Sequence, residues 1–274
     1  MKTHSQRVHT VRVSCQQRES LVGVTRRQVF GCTCGYCCII GSHPSYGSDT
    51  TMPRNGIRDK FFADAMNHMG MYEDAIRPVK TALFSTLRDT LDSSLEKAGN
   101  VKYSIADIGI GTGPNVKFYD SEKTLLQAIE PNSFMKPYLD QNLVEQGFPS
   151  ESVYYQIGYA ENIPLETESQ DAVVCTLLLC SVSDVSASLK EFHRVLKHGG
   201  SLLVIEHVRA QEPLLRIGQT LLNPLQRALA DGCNLNRDPV ENMEHLFSTE
   251  NIRRFSVPGL GVLSPHIAGI LTKK

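Results

Sequence analysis

A short apolar run, Tyr103 to Ile108, feeds a turn with three alternating glycines, Gly109, Gly111 and Gly113. Six apolar-rich residues are too few for a helix face but suit a buried strand. The glycines allow a sharp reversal at its end. The pattern then repeats. Thr124 to Ile129 ends in Glu130-Pro131, and Val153 to Ile157 follows an amphipathic stretch, Phe134 to Gln146, that Gly147 stops. Asp171 to Leu179 is nearly continuous in apolar residues, as expected of a strand buried on both faces. Val185 to Leu196 has helical spacing with Asp184 placed as its cap. Gly199-Gly200 then turns into a fifth strand, Ser201 to Ile205. Strand–helix alternation on this scale predicts a parallel sheet covered by helices.

The flanks read differently. In Ile57 to Leu95, Phe61, Phe62, Ala65, Met66 and Met69 recur at helical spacing, as do Leu83, Phe84, Leu87, Leu91 and Leu95. Gly70 and Pro78 are expected to break this region into two helices, closed by Gly99-Asn100. Residues 57–98 are expected to act as a lid, with Tyr72 either a ligand contact or a packing residue. Pro213 to Leu229 reads as an apolar helix, or a pair broken at Pro224. Residues 252–257 and 266–272 read as an antiparallel hairpin on the sheet edge. The predicted fold is therefore α/β and Rossmann-like: a mostly parallel seven-stranded sheet with an antiparallel C-terminal hairpin and N-terminal lid helices.

Charge separates a leader from this body. Residues 1–48 carry six basic residues and one acid, Glu19; the rest carries 22 basic and 28 acidic residues. An arginine-bearing, acid-poor, hydroxyl-rich leader reads as an organelle transit peptide, or else as a tail without an address. The expected organisation is a leader over 1–48 and one domain over 49–274. Five of the eight cysteines, Cys15, Cys32, Cys34, Cys37 and Cys38, lie in the leader. Cys34 and Cys37 have C-x-x-C spacing, but no second pair follows, so no metal site is expected. Arg26-Arg27 is followed by a stretch that Gly31, Gly35 and cysteines interrupt, which disfavours a twin-arginine export signal. No apolar run reaches the roughly 18 residues of a membrane span. The net charge of −1, without blocks of like charge, gives no sign of a nucleic-acid surface.

The glycine turn carries chemistry. In an open α/β sheet, ligands bind where strand ends meet helix starts. A helix is expected from Pro114, its first N–H groups facing the ligand. Glu130, at the second strand end, is placed to accept two ribose hydroxyls. Glu161, after the third strand, is placed to accept from an adenine amino group, and Asp107 to receive a cationic amino acid end. A dinucleotide fingerprint is G-x-G-x-x-G, and Pro114 stands where its last glycine would be. The G-x-G-x-G spacing suits an amino acid moiety better than a pyrophosphate.

Further stretches are more specific: Val173 to Val182 (VVCTLLLCSV), Asp231 to Arg237 (DGCNLNR) and Pro265-His266-Ile267. With them, the chain from about Ala65 to Lys274 resembles the class I S-adenosylmethionine methyltransferases. Within these it resembles the methyltransferase-like protein 7 group, whose animal members are thiol S-methyltransferases. The resemblance implies S-adenosyl-L-methionine as cofactor. Asp107, Gly109, Gly111 and Gly113 would surround its methionine part. Glu130, Pro131 and Asn132 would hold the ribose and adenine edge, Ala160 and Glu161 the adenine, and Thr176 and Leu177 the sulfonium side. It also implies a small, lipophilic acceptor such as a thiol. An oxygen, nitrogen or lipid acceptor, or a non-catalytic cofactor-binding protein, stays open as the alternative. His207 and Asp231 are candidates for acid–base or substrate-orienting roles. Against these stand a polar strand end for His207 and an Asp-Gly turn for Asp231. Cys180 and Cys233 read as packing residues, because methyl transfer needs no covalent enzyme intermediate. Two departures matter. The animal members' apolar N-terminal anchor is replaced by the basic leader, which fits a plant or algal plastid protein, with mitochondrial or cytoplasmic location as the alternative. The chain also has no Trp, so the acceptor pocket is expected to be reshaped between His207 and Asp231.

Overall fold

The structure, a computed structural model, describes residues 56–274. The expected leader, its five cysteines and Arg26-Arg27 lie outside the described residues. The N-terminal part supplies α1 (Gly56–Asn67), α2 (Gly70–Ala98), β1 (Tyr103–Ile108) and β2 (Thr124–Ile129). The middle supplies α3 (Lys136–Glu145), β3 (Val153–Gln156), β4 (Gln170–Thr176), α4 (Val185–Val195) and β5 (Leu196–His207). The C-terminal third supplies α5 (Pro213–Leu229), α6 (Val240–Glu244), β6 (Phe247–Ser248), β7 (Arg253–Ser256) and β8 (Pro265–Lys273).

The strands form one sheet in the order β3-β2-β1-β4-β5-β8-β6, with β7 also paired to β8. β1 to β5 run parallel, and β8 runs antiparallel to β5. β6 pairs with the far end of β8 (Phe247 with Lys273) and β7 with its near end (Arg253 with Ala268). Both therefore share the edge of β8 that β5 leaves open, and eight strands fill seven positions. This is the mixed, mostly parallel architecture expected, with β7 and β8 as the antiparallel hairpin.

Period-two alternation in β4 divides the core. Val173 and Cys175 face one side with Leu189, Phe192 and Val195 of α4. Ala172 and Val174 face the other, where Ile76, Phe84, Leu87 and Leu91 of α2 pack. Those α2 residues, with Tyr72 and Lys80, recur every three or four positions and form its buried face. Pro78 lies on the opposite, exposed face. Its missing N–H weakens one turn, but the packing on either side carries α2 through it. The break expected at Pro78 is absent; the one near Gly70 is real. Pro224 is likewise spanned, inside a single α5. The helix expected from Pro114 also does not form: residues 116–118 make one 3-10 turn before the chain enters β2. The loop's ligand-facing groups are therefore those of a turn, without a helix terminus behind them.

α5 buries one side chain, Gln219. Gln219 accepts from the Ala210 N–H and donates to the Val208 and Val262 carbonyls, while Leu214, Ile217, Leu221, Leu225 and Leu229 stay exposed. Among the described residues, no helix is long and apolar enough to cross a membrane.

Candidate functional site

A cavity of about 470 Å³ lies over the carboxyl ends of the parallel strands, where an open α/β sheet places its ligands. Its floor includes Gly109 and Gly111 after β1, Glu130 and Pro131 after β2, and Ala160 and Glu161 after β3. Thr176 and Leu177, at the end of β4, continue the floor. Phe62 and Met66 of α1, Met69, and Tyr72 of α2 cover it. The lid helices are therefore part of the cavity wall.

The three glycines do different work. All have positive φ, at +67° for Gly109, +58° for Gly111 and +83° for Gly113. A Cβ on Gly111 would meet nothing closer than 3.9 Å, so its surroundings are open. A Cβ on Gly113 would lie 2.7 Å from Leu139 of α3 and 3.1 Å from Val116. Gly113 is thus needed for close packing, and it does not line the cavity. Glu130 sets the shape of the turn. One carboxylate oxygen accepts from the Gly111 N–H at 3.0 Å and the other from the Asn132 N–H at 2.8 Å.

Asp107 and Asn132 lie beneath the wall. Asp107 is almost fully buried. Its Oδ2 accepts from the Tyr119 hydroxyl at 2.7 Å and the Asn115 amide at 3.2 Å, whereas its Oδ1 has no partner. Burial raises its carboxyl to about 6, and the Tyr119 and Asn115 bonds oppose the rise. Asn115 also donates to Thr176 Oγ1, tying β1 to the end of β4. Asn132 caps the next turn through Phe134 N–H and donates to the Asp59 carbonyl of α1 at 2.9 Å. It couples the lid to the end of β2. Glu161 accepts from the Ser183 and Asp184 N–H groups, which joins the β3 loop to the start of α4.

The other half of the site is built from side chains far apart in sequence. Tyr72 meets His266 at 3.0 Å. The second ring nitrogen of His266 lies 2.9 Å from the Ser264 carbonyl and must donate to it, so the Tyr72 hydroxyl donates to Nε2. Burial pulls His266 down to about 4 and keeps it neutral. Burial also raises the Tyr72 hydroxyl, helped by the nearby Glu206 and Glu73 carboxylates. Glu206 is buried in β5 and accepts from the Leu178 and Leu179 N–H groups at 2.7 and 2.8 Å. It holds the turn after β4, where Leu177 adopts φ +54°. Burial raises Glu206 to about 7. Beside it, His207 Nε2 lies 2.9 Å from Cys233 Sγ. Burial lowers His207, but the bond and charge of Cys233, with Glu206, carry it above its ordinary value. The Cys180 contact and then His207 pull Cys233 down to about 4 against the effect of burial.

His207, expected as an acid–base or strand-end residue, does not line the cavity; it faces Cys233. Asp231 does line it, on an Asp-Gly turn with φ +45° and +82°, so the turn and the wall position coexist. Asn115, Tyr119, Glu206 and the role of His266 were not anticipated. Only the terminal Pro265-His266-Ile267 stretch hinted at the last. The Lys80 ammonium, buried against both Glu73 oxygens at 2.7 and 2.9 Å, was also unforeseen.

Residues 106–204 match the family described as a methyltransferase domain. The chain is 31% identical over 207 residues to the thiol S-methyltransferase TMT1A of Homo sapiens, covering 74% of this chain and 82% of that protein. It is 32% identical over 201 residues to the thiol S-methyltransferase TMT1B of Rattus norvegicus, covering 71% and 78%. Its fold is similar to a crystal structure from Thermotoga maritima, a SAM-dependent methyltransferase and possible histamine N-methyltransferase. That match has a TM-score of 0.56 and 19% identity, and covers 80% of this chain and all of the other.

Proposed function

The chain belongs to the class I S-adenosylmethionine-dependent methyltransferases, and from that premise we propose that it methylates the sulfur of a small, lipophilic thiol. The cofactor is S-adenosyl-L-methionine, and the residues present fit it. Asp107 keeps a buried carboxylate oxygen without a partner, suited to a cationic amino group directly or through water. Gly111 leaves open space, and Glu130, at the end of β2, lines the same cavity as the glycine turn it shapes. In this reading Gly109 and Gly111 approach the methionine part while Gly113 keeps the loop packed. Glu130 and Pro131 hold the ribose, Ala160 and Glu161 the adenine, and Thr176 and Leu177 border the methyl group. Asn132 acts through the lid, without a direct contact.

When bound, the sulfonium supplies an activated methyl and its own leaving group, so the protein's task is mainly positioning. The lid helices exclude water, and Met66, Met69, Leu177 and Val182 give the acceptor an apolar wall. Supporting a thiol is the state of the two aromatic side chains nearest that wall, which supply no base. The Tyr72 hydroxyl is committed as a donor to His266, and His266 is held neutral. A thiol, with pKa near 8.5, ionises with modest help, whereas an alcohol needs a strong base. The similarity to two thiol S-methyltransferases points the same way.

Calorimetry with S-adenosylmethionine and S-adenosylhomocysteine, then a panel of thiol, phenol and amine acceptors read by mass spectrometry, tests this. Methylated thiols are the expected product; reaction confined to phenols or amines would overturn the acceptor class. A plastid address in the leader belongs to the same proposal. Residues 1–48 fused to a fluorescent protein should accumulate in plastids, and a cytosolic or mitochondrial signal would sink that part.

A further inference from the structure

Three buried side chains take no part in the cavity wall. Cys180 follows the turn after β4, His207 ends β5, and Cys233 lies in the loop after α5. Their Sγ, ring nitrogen and Sγ atoms nevertheless all lie within 4.8 Å of one another. We propose that Cys180, His207 and Cys233 form a binding site for a soft divalent metal, zinc first among them.

Two thiolates and an imidazole are ligands that zinc prefers. Bond lengths of about 2.3 Å to sulfur and 2.0 Å to nitrogen around a tetrahedron put ligand atoms roughly 3.5–3.8 Å apart. The cluster needs only small side-chain movements to reach that spacing. The His207–Cys233 approach of 2.9 Å is tight for a contact to sulfur, and a metal between the two would open it.

The surroundings hold the two cysteine ligands in place, as metal sites require of their supporting residues. The Asn234 N–H donates to the Cys180 carbonyl at 2.8 Å. Its side chain donates to the Gly232 carbonyl at 2.9 Å and to the same Cys180 carbonyl at 3.3 Å. One asparagine thus staples the loop bearing Cys233 to the loop bearing Cys180. Arg237 donates to the Leu179 and Val182 carbonyls on either side of Cys180, at 2.8 and 2.5 Å. Gln226 donates to Cys233 Sγ at 3.4 Å, the kind of bond that stabilises a thiolate. Three sequence segments are thereby locked around one small volume.

Three protein ligands leave one tetrahedral position, the pattern of zinc sites that bind an exogenous group. Ser181, Gly232 and Asn234, next to the ligands in sequence, line the cavity, so the fourth ligand is water or a small molecule from that side. The metal site itself does not depend on the acceptor being a thiol.

The test uses the full chain, reduced and stripped with a chelator, then loaded with cobalt(II) or zinc. Cobalt should give the visible and near-ultraviolet bands of tetrahedral thiolate coordination. Zinc should slow alkylation of Cys180 and Cys233 at least tenfold, mapped peptide by peptide, while Cys175 is unchanged. Cys180→Ser and Cys233→Ser should each weaken metal binding at least tenfold, with folding checked by cofactor affinity. Should a variant fail to fold, the alkylation map of the unmodified chain still decides. Three results would overturn the site: protection confined to the leader cysteines, alkylation of Cys180 and Cys233 indifferent to metal, or a Cys180–Cys233 disulfide that persists under reductant. A loss of thiol methylation with normal metal binding would count against the acceptor reading and leave the site intact.

Discussion

The two halves of the cavity are built on different plans. Over β1 to β3 the polar work is done by turns and by carboxylates that hold backbone N–H groups, as Glu130 holds Gly111 and Asn132. Over β4, β5 and β8 Glu206 holds one turn in the same way, but side-chain pairs are added to it, Tyr72 with His266 and His207 with Cys233, joined across as many as 194 residues of sequence. The first half suits a ligand shared by a whole family. The second can be changed one side chain at a time without disturbing the first, which is how one fold serves many acceptors.

Removing Glu130 should break the contrast most severely. A hydrogen bond to a charged group contributes about 1.5–3 kcal/mol, so Glu130→Ala should weaken S-adenosylmethionine binding ~100-fold by calorimetry. A change under threefold would remove Glu130 from the donor half. Gly113→Ala should lower stability by about 2–3 kcal/mol, through overpacking against Leu139 and a left-handed backbone. Gly111→Ala should cost about 1–2 kcal/mol, from the backbone alone, while weakening the cofactor more than Gly113→Ala does. Equal melting temperatures for the two variants would refute this division between packing and ligand approach.

Asp107 offers a test by pH. Burial lifts its carboxyl from 3.8 to about 6, so the folded chain holds this proton more tightly than the unfolded one. Its contribution to stability is full below pH 3.8 and is lost as pH rises through 6. A cationic ligand favours the carboxylate, so the sign for binding is opposite. S-adenosylmethionine affinity should fall about tenfold per unit as pH drops below 6, and binding near pH 6 should release a proton. A flat profile from pH 5 to about 8 would take Asp107 out of the cofactor site. The smallest effect is expected in the other half. Tyr72→Phe leaves His266 Nε2 without its donor, a loss of about 1 kcal/mol. The acceptor kcat/KM should fall about fivefold with the cofactor Kd unchanged. A shift in cofactor Kd instead would show that the halves are not separable.

The same division decides what could be read from the sequence. β1 and β2 lie where their apolar runs and the residues ending them, Gly109 and Glu130-Pro131, put them, because those signals are local. Asp184 caps α4 as its position suggested, accepting from the Ala187 N–H. Pro78 misled because a local rule about helix breaking was overruled by packing, and at Pro224, where the sequence allows one helix or two, the single helix formed. The helix expected after Pro114 failed because the chain needs only one 3-10 turn to cross from β1 to β2. The Cys180–His207–Cys233 group was illegible for another reason: its members sit on three elements, and nothing in their spacing announces that the sheet order brings them together.

That order also bears on how the protein is made. β8 is the last element of the domain in sequence, yet it lies inside the sheet, between β5 and the strands β6 and β7. Those two strands leave the ribosome before β8, the strand they pair with among the described residues. Synthesis runs from the N-terminus at about 5–20 residues per second, so β1 to β4 can pair while the chain is still growing. The outer edge of β5 stays uncovered until residues 265–273 emerge. A pause in translation within that stretch would leave an open apolar strand edge exposed to neighbouring chains, and this is the interval in which a chaperone would matter most to this fold.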